Sequence, residues 1–262
     1  MNRLAVLLCL VWPAFGQVAG QHHPPQSAGE YARVLDDAKR EEWQKPDEVI
    51  RALALRPQEV IADIGAGTGY FSKRLARQAG KVYAVDIDAD LLKMAAQDAP
   101  QNMVTVLAAP DDPRLPQGGI DTVFFCDVLH HIGNRPEYYK KLARALAPGG
   151  RIVNIDFQKR QLPVGPPPSM KLSEEQVVAE FRAAGFRLAK KFDFLPCQYF
   201  LVFERKNRKT GTGTQCPILF EKIPAVEPQL VVDATQSQNG CRRTAASYHA
   251  TRKQPPKHLF PR

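Results

Sequence analysis

Seven consecutive residues, Asp63-Ile64-Gly65-Ala66-Gly67-Thr68-Gly69, hold an acid and three glycines. They lie between an apolar run, Val60-Ile61-Ala62, and an amphipathic one, Tyr70-Phe71-Ser72-Lys73-Arg74-Leu75-Ala76. The pattern reads as strand, glycine turn, helix. Glycine takes left-handed torsions and lets a ligand come close to the main chain. The N-terminus of the following helix offers N–H groups to an anionic group. The chemistry this favours is binding of a nucleotide-like ligand through the backbone. A dinucleotide fingerprint spaces its glycines G-x-G-x-x-G. Here the third glycine comes one residue early, at Gly69, and Tyr70 stands where a nicotinamide protein would want glycine.

Three more clusters follow at expected strand ends. Asp86 lies 21 residues past Gly65 and closes Val82-Tyr83-Ala84-Val85. An acid at that place accepts hydrogen bonds from both hydroxyls of a ribose; the alternative is a solvated cap for the next helix. Asp111 and Asp112 fall in a Pro- and Asp-rich loop, as acceptors for a ligand amino group or as a plain turn. Asp127-Val128-Leu129-His130-His131 follows a fourth apolar run. His130 or His131 would act as a general base if an acceptor must lose a proton, against the alternative of a structural histidine. Adjacent histidines point different ways and no third ligand has helpful spacing, so no metal is expected.

The elements that must position these residues alternate. Strands are predicted at 59–64, 81–85, 104–108, 120–125 and 151–157, and helices at 70–78, 91–97 and 137–146, the last stopped by Pro148-Gly149-Gly150. Ser173, with Gln176 three residues on, caps a further helix to about Ala184. Residues 187–194 and 198–205 form two last strands joined by Leu195-Pro196-Cys197. In front lie a helical segment over Glu30–Gln44 and a second helix opened by Pro46, containing Val49, Ile50, Leu53 and Leu55. Strands alternating with helices mean a mostly parallel, doubly wound α/β sheet covered on both faces, with one antiparallel strand in the closing hairpin. In such sheets the ligand sits outside the carboxyl ends of the strands, where all four clusters fall.

The 262 residues suffice for one sizeable core plus a tail. The net charge of +9 is unevenly placed: residues 206–262 carry ten Lys/Arg against three Asp/Glu, leaving 26 against 24 over residues 1–205. Residues 1–20 have a signal-peptide pattern, with Arg3, an apolar Leu4–Phe15 and small residues near Ala19-Gly20. That run falls short of the ~20 residues that span a bilayer. The expected location is therefore exported, periplasmic or secreted; a retained start would give a cytoplasmic chain or an anchor facing the cytoplasm. Five cysteines make no C-x-x-C, which removes zinc-knuckle and thioredoxin-like readings, and Cys126 reads as a small buried hydrophobe. The expected organisation is a signal at 1–20, a lead-in and lid helix at 21–45, a catalytic domain at 46–206, and a basic, disordered tail at 207–262. The tail has almost no aromatics among its basic residues, which argues against nucleic acid.

Residues 42–205 as a whole resemble a class I S-adenosyl-L-methionine (SAM)-dependent methyltransferase of the small-molecule type. The carrying stretches are Trp43–Asp47, Asp63–Phe71, Val82–Asp86, Asp111–Pro116, Asp121–His131, Leu146–Arg151 and Tyr199–Phe203. The chain looks closest to signal-bearing bacterial methyltransferase-domain proteins. The resemblance implies a Rossmann-like, doubly wound, mostly parallel seven-stranded sheet with a C-terminal antiparallel hairpin. It implies SAM as cofactor and a small-molecule methyl acceptor as partner. The candidate cofactor-binding set is Asp63, Gly65, Gly67, Thr68, Gly69, Asp86, Ile87, Asp111, Asp112 and Asp127, with His130 and His131 as catalytic candidates. Competing readings are a nucleotide-binding oxidoreductase and a non-enzymatic SAM-binding protein with a basic tail. The oligomeric state is not readable from the sequence.

Overall fold

A computed structural model describes residues 27–206. The expected signal, residues 21–26 of the lead-in and the basic tail lie outside the described residues. Three short helices come first: α1 (Ala28–Leu35), α2 (Arg40–Gln44) and α3 (Pro46–Leu53). Then follow β1 (Val60–Ile64), α4 (Ser72–Ala76), β2 (Lys81–Asp86), α5 (Ala89–Ala96), β3 (Met103–Leu107) and β4 (Ile120–Cys126). The body closes with α6 (Arg135–Ala145), β5 (Leu146–Phe157), α7 (Glu174–Ala183), β6 (Phe186–Phe192) and β7 (Gln198–Arg205).

The seven strands form one sheet in the order β3-β2-β1-β4-β5-β7-β6. β3, β2, β1, β4 and β5 run parallel, and β7 is antiparallel to both β5 and β6. This is the Rossmann-like mixed sheet and hairpin expected from the sequence. The central strands β1 and β4 read as nearly continuous apolar runs because both faces are covered, whereas β3 and β6 at the sheet edges are mostly exposed. Alternate side chains enter different cores. Ala62, Val123 and Phe125 pack with Tyr139 and Leu142 of α6 and Phe181 of α7. Ile61, Phe124 and Val153 pack on the opposite face with Val49, Ile50 and Leu53 of α3 and Leu75 of α4. Strand order reverses between β1 and β4, so the connections leaving their carboxyl ends run opposite ways and open a crevice there. Among the described residues no helix is long and apolar enough to cross a membrane.

Three local expectations are corrected. The single helix over Glu30–Gln44 is two helices, α1 and α2. Asp36 caps the end of α1 at φ −104, and Asp37 accepts from the Lys39 N–H (2.9 Å) to restart the chain. Short acidic side chains compete for backbone groups in this way. Ala54 is left-handed (φ 48) and ends α3, so Leu55 lies beyond it. Pro148-Gly149-Gly150 interrupts pairing without ending an element: β5 begins at Leu146, and its register on β4 jumps from Ile120↔Leu146 to Thr122↔Arg151. Gly149 sits at φ +79, and a Cβ at Gly150 would lie 2.9 Å from the Ile120 carbonyl.

Candidate active site

A cleft of about 1120 Å³ opens over the carboxyl ends of the parallel strands. It exceeds the ~300–1,000 Å³ usual for one small ligand, which leaves room for two reactants side by side. Its walls come from the β1 turn, the ends of β2 and β4, the loops after β3 and β5, and α1 and α2 in front.

The β1 turn is shaped by what surrounds it. Gly65 has φ +73, and a Cβ there would fall 2.0 Å from Val128 Cγ2, so only glycine lets the segment after β4 close against the turn. Gly67, at φ +55, faces Leu35 of α1 at 2.9 Å from its ideal Cβ position. The Gly67 N–H donates to Asp86 Oδ2 (2.8 Å), and the Asp88 N–H donates to Asp86 Oδ1 (2.9 Å). With the Ile87 N–H as a third donor, the carboxylate still keeps lone-pair capacity for a hydroxyl donor. Burial raises the Asp86 pKa, against the lowering pull of these N–H groups. Asp63 lies beneath, accepting from Ser72 Oγ (2.6 Å). Burial pushes its carboxyl up to about 7, opposed by the Ser72 bond and helped by the Asp86 charge.

The other half of the cleft stands on β4 and β5. Asp127 is left-handed (φ 57), an uncommon conformation for a residue with a side chain. It is pinned by its N–H on the Ile155 carbonyl (2.9 Å) and by two side-chain amides. Gln44 Nε2 donates to Asp127 Oδ2 (2.8 Å) and Gln198 Nε2 donates to Oδ1 (2.7 Å). Burial raises the Asp127 pKa, as does the charge of Asp156. A 3-10 turn, Leu129–His131, then carries both histidines to the wall. His130 Nδ1 lies 2.9 and 3.0 Å from the two oxygens of Asp156. Burial works against the charged imidazole, but the Asp156 bond and the charges of Asp156 and Asp127 outweigh it and raise its pKa. The His131 ring lies 4.1 Å from that of His130.

Ten of the residues singled out in the sequence line this one cleft: Asp63, Gly65, Gly67, Thr68, Asp86, Ile87, Asp111, Asp127, His130 and His131. Gly69 and Asp112 lie outside its wall. A Cβ at Gly69 would meet Ala95 (3.3 Å) and Met103 (3.4 Å), so this glycine lets α5 and β3 pack under the turn. Asp112 accepts from the Arg114 N–H (2.8 Å) and Lys141 (3.2 Å), which hold its pKa low despite slight desolvation. Thr68 donates its hydroxyl to Asp36 (2.6 Å) and so ties the turn to the end of α1. Among the described residues no group of three or more His, Cys, Asp or Glu is arranged to hold a metal ion.

Sequence reasoning missed Gln44, Gln198 and Asp156 as parts of the site. Asp156 carried a local signal, as an acid inside the apolar run Ile152–Phe157. Gln44 and Gln198 meet Asp127 from 83 and 71 residues away, which no local spacing reveals.

Comparison with known proteins bears on this geometry directly. Residues 62–154 match the methyltransferase domain family. The matched span runs from within β1 to Asn154 in β5 and contains the glycine turn, Asp86, Asp127 and both histidines. Those residues are a class I SAM-dependent methyltransferase domain. The chain is 35% identical over 91 residues to the biotin biosynthesis bifunctional protein BioHC of Cellvibrio japonicus, covering 35% of this chain and 18% of that protein. It is 27% identical over 157 residues to an uncharacterized methyltransferase of Geobacillus kaustophilus, covering 58% of this chain and 67% of the relative. The chain thus spans under a fifth of the first relative and about two thirds of the second. A SAM-dependent methyltransferase from Aquifex aeolicus has the same fold, with a TM-score of 0.64 and 22% identity over 70% of this chain and 100% of its own.

Proposed function

We propose that the protein is a SAM-dependent methyltransferase that transfers a methyl group in line to a small-molecule acceptor. The observation that carries this reading is the joining of Gly67 and Asp86 across the cleft floor, inside a volume large enough for donor and acceptor together. The cofactor is SAM, whose sulfonium supplies a methyl group already activated for transfer. Gly65 and Gly67 admit the ligand to the backbone, and Asp86 accepts from its ribose hydroxyls. Ile87, half exposed in the cleft wall, gives an apolar contact for its base, with Asp111 beside it. Asp63 and Asp127 offer buried carboxyl groups to the cationic part of the cofactor, and a cation there favours their charged forms.

The protein's task is alignment and exclusion of water. Proximity and orientation alone supply ~7–11 kcal/mol, so no side-chain nucleophile is required. We assign α1 and α2 the role of a lid: Tyr31, Val34 and Leu35 of α1 line the cleft, and α1 rests on Gly67. The test is to incubate the full chain with methyl-labelled SAM and a mixture of metabolites, protein and RNA. Label is expected in the small-molecule fraction. Label confined to the protein or RNA fractions would overturn the small-molecule assignment.

A further inference from the structure

The sheet topology divides the cleft. The glycine turn, Asp86 and the loop after β3 lie over β1, β2 and β3. The half over β4 and β5 is built differently: Trp43 and Phe157 bring their rings within 5.5 Å of each other, Val164 and Pro166 continue the apolar wall, and His130 is the buried basic group set into it. We propose that His130, positioned by Asp156, is the general base of an O-methylation whose acceptor is a weakly acidic hydroxyl on an apolar ring, a phenol or enol. This rests on the methyltransferase reading and adds the acceptor class and the catalytic residue.

The geometry makes the two histidines unequal. The His130 side chain is only 3% exposed although it lines the cleft, and Asp156 beside it is fully buried. Nδ1 is taken by Asp156, which fixes the tautomer with the proton on Nδ1 and leaves Nε2 as the basic nitrogen. Asp156 is itself fixed, since it accepts from the Phe157 N–H (2.8 Å). An amine acceptor carries its own lone pair and can shed its proton after transfer. A neutral hydroxyl is a poor nucleophile until its proton leaves, so a buried, oriented base serves oxygen above all. As the acceptor oxygen bonds the methyl carbon, His130 Nε2 takes the hydroxyl proton. The C–S bond of the sulfonium donor breaks with its electron pair passing to sulfur. One positive charge leaves the sulfonium and one appears on the imidazolium, beside Asp156, so the step needs neither oxidant nor reductant.

The charged and titratable groups facing His130 are Asp156 from β5, Asp127 from the end of β4, Lys171 from the segment before α7, and His131 on its own turn. Asp156 is a positioning residue, and its removal must change how His130 titrates.

The test uses the full chain as wild type, His130→Asn and Asp156→Asn. Calorimetry with SAM comes first; no binding by the wild type would sink the methyltransferase reading itself. Imidazole nitrogen NMR across pH then reads His130 without any acceptor. The expected result is an Nδ1-protonated ring titrating above the ordinary value of about 6.5, with a lower pKa in Asp156→Asn. Methyl transfer is then followed to paired probes, phenol with aniline and naphthol with naphthylamine. Methylated oxygen is expected, with His130→Asn slowing it by about 100-fold or more at unchanged SAM affinity. The acid limb of kcat/KM should move to lower pH in Asp156→Asn. Amines methylated as fast as their hydroxyl partners, or a fully active His130→Asn, would overturn the proposal. Should neither probe react or the variants not fold, the wild-type titration decides alone, and a ring not protonated at Nδ1 or titrating below the ordinary value would overturn it.

Discussion

At the scale of single residues, the cleft depends on positions where one atom decides. Gly65 combines a left-handed φ of +73 with a Cβ position 2.0 Å from Val128 Cγ2. Gly65→Ala therefore forces backbone strain and a steric collision at once, each worth on the order of 1–3 kcal/mol. The expected outcome is a lower melting temperature and loss of SAM binding; a variant that melts and binds like the wild type would contradict the packing described. Asp63 makes a second test. Its folded pKa of about 7 lies above the ordinary carboxylate value, so between the two the folded state holds more protons than the unfolded chain. Its contribution to stability is therefore present below about pH 4 and is lost as pH rises through about 7. Asp63→Asn keeps an oxygen for Ser72 and removes the titration. In denaturant melts the variant should gain a few kcal/mol on the wild type between about pH 4 and about pH 7. A difference that stays flat with pH would count against a buried, proton-holding Asp63.

At the scale of elements, much of the frame was legible because parallel strands buried on both faces read as unbroken apolar runs. Strands 60–64, 81–86 and 120–126 could be placed to within a residue or two, and the glycine turn announced its own helix. The front of the molecule was less legible. Asp36 and Asp37 cut the predicted helix in two, and α2 is held by contacts from distant segments. Arg40 donates to the Leu35 carbonyl and to Gln44 Oε1 (2.9 Å), and its guanidinium lies 4.3 Å over the Tyr70 ring. Gln44 in turn reaches Asp127. One arginine thus fastens the end of α1, α2 and the residue after the glycine turn. Arg40→Ala should speed SAM dissociation by about tenfold or more, from the loss of charged hydrogen bonds, while leaving the melting of the sheet nearly unchanged. Stopped-flow dissociation reads the first and circular dichroism the second; unchanged dissociation would remove the lid role from α1. Motif membership also misled at two positions, Gly69 and Asp112. Their local spacing matched the site, but Gly69 makes room for α5 and β3 to pack under the turn, and the Asp112 carboxylate is taken up by the Arg114 N–H and Lys141.

At the scale of the whole molecule, the sequence divides by charge into a near-neutral 1–205 and a basic 206–262. All the candidate site residues and both halves of the sheet lie within 27–206. A chain ending at Lys206 is expected to melt cooperatively and bind SAM as the full chain does; a large loss of affinity on truncation would give the tail a part in the site. The cleft gathers Asp63, Asp86 and Asp127 at the carboxyl ends of β1, β2 and β4 and so suits a cationic cofactor better than a dinucleotide with its two phosphates. The most direct measurement is calorimetric titration of the full chain with SAM, with NAD as competitor and with Gly67→Arg and Asp86→Ala as controls. Binding of SAM that NAD does not displace, lost in both variants, is the result expected. A folded wild-type chain that ignores SAM, or binds NAD in its place, would contradict the account.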